Sequence, residues 1–388
     1  MLKYSPRFFA IILATICFLF YSVPPLKAAN LETTAESAIL IDAATGKILF
    51  EKNPKKELPP ASVTKLMTLL IAAEAIESGK CNLSDIVTAS EKASSLGGSQ
   101  IYLEPGEQFT LKEMLISIAV GSANDSCVAV AEHIYGSHEE FVDVMNQKAK
   151  ALGMKNTNFV NSYGLPAEGH YTSVYDVAIL GREALKHPII TELTSIKEYD
   201  LRNGEFKLWN TNKLLWWYEG TDGFKTGWTQ EAKYCLASTV ERNGLRLICV
   251  VMGVPEVRGH FQESMKIYNY GFAKYTYKEF APAGSKQGEV TIQKGTKPVV
   301  DLIADNRVGI CIEKGKDKDC RVETKLDPIV VAPISKGQKL GELIIYCGQE
   351  EQLRINLIAK EDIPKASVYK IISNTLSNTY SLKSSLFF

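Results

Sequence analysis

The sequence predicts an α/β domain whose first and last strands share one sheet, followed by a small all-β domain and a C-terminal amphipathic helix. Three observations carry this reading. Apolar strands stand at both ends of a block of helical patterns, as a hairpin at 38–51 and a pair at 234–253. After about residue 277 the segments become short and rich in Val, Ile and Leu, separated by Gly, Lys and Asp clusters. Beyond residue 362 apolar residues recur at helical spacing. A chain of 388 residues also exceeds one ordinary core.

The elements follow in order. Residues 1–28 read as a cleavable signal peptide: Lys3 and Arg7 precede an apolar run from Phe8 to Tyr21, then Pro24-Pro25 and the small residues Ala28-Ala29. The apolar run is short for a membrane span, which needs about 20 residues, and an uncleaved anchor is the competing reading. A cleavable export signal implies a protein that works outside the cytoplasm. Residues 38–42 and 47–51 flank Ala43-Ala44-Thr45-Gly46 as a hairpin. Pro59-Pro60 then halts the chain before a helix from Ser62 to Ser78, ended by Gly79. Further helical patterns cover 111–119, 124–134, 138–152 and 174–186, and the strands 234–240 and 245–253 are joined by Arg242-Asn243-Gly244. The expected domains are 29–277 and an all-β unit at 278–362 with segments 289–292, 299–303, 308–312, 329–332, 342–346 and 353–359.

In the tail, 363–388, the apolar positions are Val368, Ile371, Ile372, Leu376, Leu382 and Leu386. Such a helix lies in a membrane interface or packs on its own β-domain. Lys365, Lys370 and Lys383, with no acid after Asp362, favour an anionic membrane surface.

Composition excludes some classes. Hydrophobic residues at 45% and charged residues at 23% are ordinary globular values. Without residues 1–28 the chain holds 41 basic and 44 acidic residues, so it lacks the basic footprint that nucleic acid requires. The eight cysteines, seven after processing, are scattered and include no C-x-x-C, which argues against a disulfide scaffold or a zinc knuckle. Cys311 and Cys320, flanking a charged loop, stand as a candidate pair.

Three short motifs carry chemistry: Ser62-Val63-Thr64-Lys65, Ser122-Ala123-Asn124 and Lys225-Thr226-Gly227. The first is weak alone, since S-x-x-K recurs roughly once per two hundred positions by average usage. Ser367-Val368-Tyr369-Lys370 is a second instance in this chain. Ser62 follows the Pro-Pro turn, and Lys65 lies one turn on, on the same helical face. A serine hydroxyl becomes a nucleophile when a neighbour accepts its proton, and a lysine does this only with a lowered pKa. The helix-start field and Lys225 as a second cation are the expected causes of that lowering. The competing role for Ser62 is a helix N-cap, and Asn124 or Asp125 reads equally as a cap of the next helix. Lys225 and Thr226, on an expected edge strand, form a receptor for a free carboxylate. Gly227 lets a substrate backbone approach that edge.

S-x-x-K, S-x-N and K-T-G in this order form the signature set of penicillin-binding proteins and class A β-lactamases. From about residue 33 to 362 the chain resembles the serine-type D-alanyl-D-alanine carboxypeptidases of low molecular mass. The resemblance implies a β-lactamase/transpeptidase-like catalytic domain, an antiparallel sheet with helices, and no cofactor or metal. It implies that Ser62 forms an acyl-enzyme, Lys65 takes its proton and Ser122 relays protons to the leaving amine. Asn124 would hold the penultimate amide, and Lys225 and Thr226 the terminal carboxylate. The backbone N–H groups of Ser62 and Trp228 would form the oxyanion hole. The implied partners are peptidoglycan stem peptides ending in D-Ala-D-Ala and β-lactam antibiotics. The segment Gly164–Ser173 resembles the loop that borders the active site, with His170 structural rather than a base.

Four other readings compete. A class A β-lactamase needs a deacylating glutamate in an E-x-x-L-N loop, and residues 161–168 (Asn-Ser-Tyr-Gly-Leu-Pro-Ala-Glu) carry no such pair. A zinc carboxypeptidase needs clustered ligands, whereas the five histidines are scattered and no H-E-x-x-H occurs. A cross-link endopeptidase uses the same acylation, and a non-enzymatic penicillin sensor or wall-binding protein shares the motifs.

Overall fold

A computed structural model describes residues 31–368. The predicted signal segment 1–28 and the tail helix beyond residue 368 lie outside the described residues.

The core is a five-stranded antiparallel sheet. Its strands are β1 (Ser37–Asp42), β2 (Ile48–Lys52), β3 (Thr221–Thr229), β4 (Lys233–Arg242) and β5 (Leu245–Val254), in the order β2-β1-β5-β4-β3. The two ends of the first domain thus pair directly, Ala38 opposite Val251 and Leu40 opposite Cys249, as the sequence predicts. The five longer helices are α1 (Lys65–Glu77), α2 (Asn124–Tyr135), α3 (His138–Ala151), α4 (Val174–Ala184) and α5 (Gly259–Lys274).

Helices cover both faces of the sheet, which is why β1 and β5 are apolar without alternation. A Cβ on Gly181 of α4 would stand 3.4 Å from Ile248, and one on Gly271 of α5 would stand 2.9 Å from Leu247. Neighbouring residues of β5 therefore point to opposite helices. Helix α5 was not anticipated from the sequence. Its inner face is made by Phe261, Ser264, Ile267, Tyr268 and Gly271, a mixture too polar and small to read as an apolar stripe.

Helix α1 runs between two apolar clusters. Leu66, Met67, Leu70 and Ile71 join the sheet-side core, while Leu69, Ala72 and Ala75 join a second core with α2. A helix buried all round needs little polar face, so α1 is nearly continuous in apolar residues. It starts later than predicted: Ala61–Thr64 forms a 3-10 turn and the α-helix begins at Lys65. The predicted 111–119 helix is also divided, into Leu111–Ile116 and a π-turn at Ser117–Gly121. The 174–186 helix stops at Ala184, and Pro188 opens a separate turn of helix at Pro188–Thr194.

Beyond α5 the chain forms a two-stranded pair, Tyr275–Ala281 with Val308–Glu313, and a six-stranded sheet. Their apolar faces enclose one core that includes Val300, Leu302, Leu343, Ile345 and Leu357. Cys311 does not pair with Cys320. The strand Cys320–Leu326 lies antiparallel to Lys339–Cys347, which sets Cys320 opposite Cys347, and these two form the disulfide. Cys311 is buried and free, as are Cys81, Cys127, Cys235 and Cys249. Among the described residues no helix is long and apolar enough to cross a membrane.

Candidate active site

The three motifs converge on one point, between the start of α1, the loop before α2 and the edge strand β3. Ser62 lies in the 3-10 turn and makes no capping bond, so the N-cap role is not the one it plays. Its hydroxyl instead meets Lys65, whose Nζ lies 2.9 Å from Ser62 Oγ.

Lys65 is fully buried. Its ammonium donates to three acceptors: Ser62 Oγ, Asn124 Oδ1 at 2.7 Å and the Tyr163 carbonyl at 2.5 Å. Burial lowers its pKa to about 8, against a smaller opposing pull from the Asp125 carboxylate. Burial, rather than a helix-start field or the Lys225 charge, is thus the main cause. The Cys127 thiol nearby is pushed up to about 12 by burial and stays neutral. In the neutral amine, two N–H groups remain for Asn124 Oδ1 and Tyr163 O, and the lone pair is left facing the Ser62 hydroxyl. That is the arrangement a general base requires.

Tyr163 contributes through its backbone, a role that no side-chain motif signals. Its loop is fixed by Thr68, which donates to the Ser162 carbonyl at 2.6 Å, and by Asn161, which accepts from Gly164 N at 2.6 Å. Gly164 adopts φ +91°, and a Cβ there would stand 1.9 Å from the Ala61 carbonyl oxygen. Only glycine lets this loop lie against the turn that carries Ser62. Gly164→Ala is expected to displace that turn and slow acylation by labelled penicillin about a hundredfold, read by stopped-flow fluorescence.

The loop Gly164–Ser173 borders the site as predicted, and His170 is structural. Its Nδ1 accepts from Val160 N and its Nε2 lies 2.9 Å from Thr64 Oγ1. Burial lowers its pKa to about 4, so it is neutral near pH 7.

Asn124 and Asp125 are not caps of α2; the N-cap position is Ala123. Asn124 spans the site, accepting from Lys65 and donating from Nδ2 to the Gly97 carbonyl at 2.7 Å. Asp125 is buried and accepts from the backbone N–H groups of Ile101 and Leu103. Ser122 takes the left-handed conformation, φ 63°, after the π-turn. It is buried, and its hydroxyl makes no hydrogen bond to a described residue.

Lys225 and Thr226 are buried on β3, which has a neighbour strand on one side only. Burial first, and the Lys65 charge second, lower the Lys225 pKa well below its ordinary value. Its Nζ donates to the Thr226 carbonyl at 3.1 Å, while Thr226 Oγ1 donates to Thr211 Oγ1 at 2.7 Å. Sequence reasoning missed Thr211, a lone threonine with no motif around it. A Cβ on Gly227 would stand 2.9 Å from Ser62 N. The glycine therefore brings the β3 backbone, with Trp228 N–H next along it, beside the Ser62 amide.

Among the described residues, one group of possible metal ligands is Glu74, Glu183 and His187, within 4.8 Å of one another. It lies near the far end of α1, about three turns from Ser62, and the Lys148 ammonium sits 2.7 Å from Glu74.

Comparison with known proteins shows which family the chain resembles. Residues 25–256 match the peptidase S11 profile, described as D-alanyl-D-alanine carboxypeptidase. Residues 275–365 match the profile of the penicillin-binding protein 5 C-terminal domain. The chain is 43% identical over 356 residues to D-alanyl-D-alanine carboxypeptidase DacF of Bacillus subtilis, covering 91% of this chain and 92% of that protein. It superposes on penicillin-binding protein 5 of Haemophilus influenzae with a TM-score of 0.70 and 33% identity, over 87% of this chain and all of that one. Penicillin-binding protein D2 of Listeria monocytogenes, solved in its ampicillin-bound form, gives 0.58 and 30% identity over 63% of this chain and 99% of that one.

Proposed function

The chain belongs to the D-alanyl-D-alanine carboxypeptidase family, and we propose that its three ordered motifs divide one acyl transfer among them. The protein is a serine-type carboxypeptidase that removes the terminal D-alanine from peptidoglycan pentapeptide stems and is acylated by penicillins. The observation that carries the mechanism is the buried Lys65 amine, with a pKa of about 8, set 2.9 Å from the Ser62 hydroxyl.

Ser62 Oγ attacks the carbonyl carbon of the penultimate D-alanine, and its proton passes to neutral Lys65. The backbone N–H groups of Ser62 and Trp228 receive the oxyanion that develops. The Ser122 hydroxyl carries a proton from Lys65 to the amine of the terminal D-alanine, which leaves as the C–N bond breaks. Lys65 then takes a proton from water attacking the ester, and Ser62 is restored. Lys225 and Thr226, with Thr211 behind them, hold the terminal carboxylate. Asn124 orients Lys65 and presents its carboxamide to the stem backbone, while Gly227 leaves β3 open for the stem to pair along its edge.

The enzyme works outside the cytoplasm. Segment 1–28 directs its export, and residues 363–388 hold it at the anionic outer face of the cytoplasmic membrane. The charge pattern of the two segments supports this.

Incubating the protein with a synthetic pentapeptide ending in D-Ala-D-Ala tests the reaction. Mass spectrometry is expected to find the peptide short of one alanine, together with free D-alanine. An unchanged pentapeptide that nonetheless acylates the protein would favour a penicillin sensor.

A further inference from the structure

The chain holds four tryptophans, Trp209, Trp216, Trp217 and Trp228, and all fall within twenty consecutive residues. Their exposures are 55, 40, 49 and 58%, although indole rings are buried on average. Large exposed aromatic patches mark ligand or partner surfaces.

Two of these rings rest against other aromatic rings. Trp228 contacts Tyr234 with centroids 6.1 Å apart, and Tyr234 stacks on His260 at 5.2 Å and 8°. His260 meets Phe261 at 3.9 Å, and Phe261 meets Trp217 edge-on at 5.3 Å. A continuous row of rings therefore links the exposed indole beside the active site to the one on the helix Leu214–Trp217. The other two indoles carry cations: Lys207 Nζ is 5.0 Å from Trp209, and Lys213 Nζ is 4.8 Å from Trp216.

Two of the indoles border the substrate site, Trp228 directly after Gly227, whose backbone lies beside the Ser62 amide. Trp209 and Trp228 each lie two residues from one partner of the Thr211–Thr226 hydrogen bond that backs the carboxylate receptor. We propose that this surface binds sugar rings of the glycan strands on which the stem peptides are carried. One face of a pyranose ring is lined with C–H groups and matches an exposed indole in size, while its hydroxyls stay in water. The Lys213 and Lys197 ammonium groups beside Trp216 complement the lactyl carboxylates of strands whose stems have been removed, while Lys207 is already paired with Glu198 and Asp200.

The position argues against a membrane as the occupant. Phe261 and His260 open α5, which then runs about 24 Å to Lys274 and the first strand of the all-β part. The chain leaves toward its tail from that all-β part, where Ala366 N donates to the Lys294 carbonyl. The indole row thus meets the first turn of α5, whereas the all-β part follows its last turn.

The proposal rests on the carboxypeptidase reading only for the identity of the polymer. Since all four indoles of the chain are exposed within the segment 209–228, intrinsic fluorescence reports on that segment directly. Titration of the full chain with peptide-free glycan strands is expected to give a saturable spectral shift. In a Trp209→Ala/Trp216→Ala variant the affinity should fall about tenfold, with the Tyr double variant retaining it. The Ala variant should also raise KM for glycan-linked pentapeptide about tenfold while turning over free pentapeptide as before, which reports that it is folded. Ser62→Ala protein should bind the strands normally, so a failed reaction and a failed glycan site give different results. No saturable shift with glycan strands overturns the proposal. A response to phosphatidylglycerol vesicles alone, lost in the same variant, overturns it in favour of a membrane surface.

Discussion

Ser62→Ala is expected to abolish both labelling by fluorescent penicillin and release of D-alanine, with kcat/KM falling about ten-thousandfold or more. The size follows from chemistry, because alanine leaves no atom to form the ester and only binding and oxyanion contacts remain. The same substitution separates nucleophile from cap. A lost N-cap costs about 1 kcal/mol of stability. Ser62 makes no capping bond, so the variant should melt close to the parent. A dead enzyme with unchanged thermal stability is therefore the expected pair of results, measured by penicillin labelling and differential scanning calorimetry. Retained turnover in this variant would move the nucleophile elsewhere.

Lys65→Arg is expected to cost about a thousandfold in acylation, because a guanidinium cannot shed its proton to serve as base. The parent's pH profile provides the matching test. The Lys65 pKa is lowered to about 8, so the charged, inactive form dominates below that pH and the neutral base accumulates above it. Rates of acylation under saturating peptide should rise about tenfold per pH unit between 6 and 7.5, then level off above 8. The sign is fixed by the role. A group needed as a cation would give the opposite slope, and a flat profile would remove Lys65 as the base. Stopped-flow acylation across this range, in parent and variant, makes the measurement.

Much of the site was legible because its residue types are rare in this order. Ser62, Lys65, Ser122, Asn124, Lys225 and Thr226 are six positions spread over more than 160 residues, and the structure gathers them from the turn and first residue of α1, the loop and first residue of α2, and β3. What the sequence left ambiguous was role. Serine, asparagine and aspartate serve both as caps and as site residues, so Ser62, Asn124 and Asp125 read either way until their side-chain partners are known. The cause of the Lys65 shift was also hidden. Local reasoning looks to the helix start and to charged neighbours, but burial between two apolar clusters is a property of the whole fold.

Contacts made by backbone or by unremarkable residues left no trace in the sequence. The Tyr163 carbonyl and the Thr211 hydroxyl belong to no motif and reach the site from distant segments. The Cys320–Cys347 bridge depended on the strand Cys320–Leu326. Its Arg-Val-Glu-Thr-Lys core is almost wholly exposed and reads as a loop. Where both faces of a strand are buried, as in β1 and β5, the apolar run announced it.

The most direct test of Ser62 as the acylated residue is peptide mapping after a brief exposure to penicillin. Trypsin releases Glu57–Lys65, Glu-Leu-Pro-Pro-Ala-Ser-Val-Thr-Lys, in which Ser62 and Thr64 are the only hydroxyl side chains. This peptide is expected to gain the mass of one opened β-lactam, with fragmentation placing it on Ser62. An adduct on a peptide carrying Ser122 or Ser367, or on Thr64, would contradict the account.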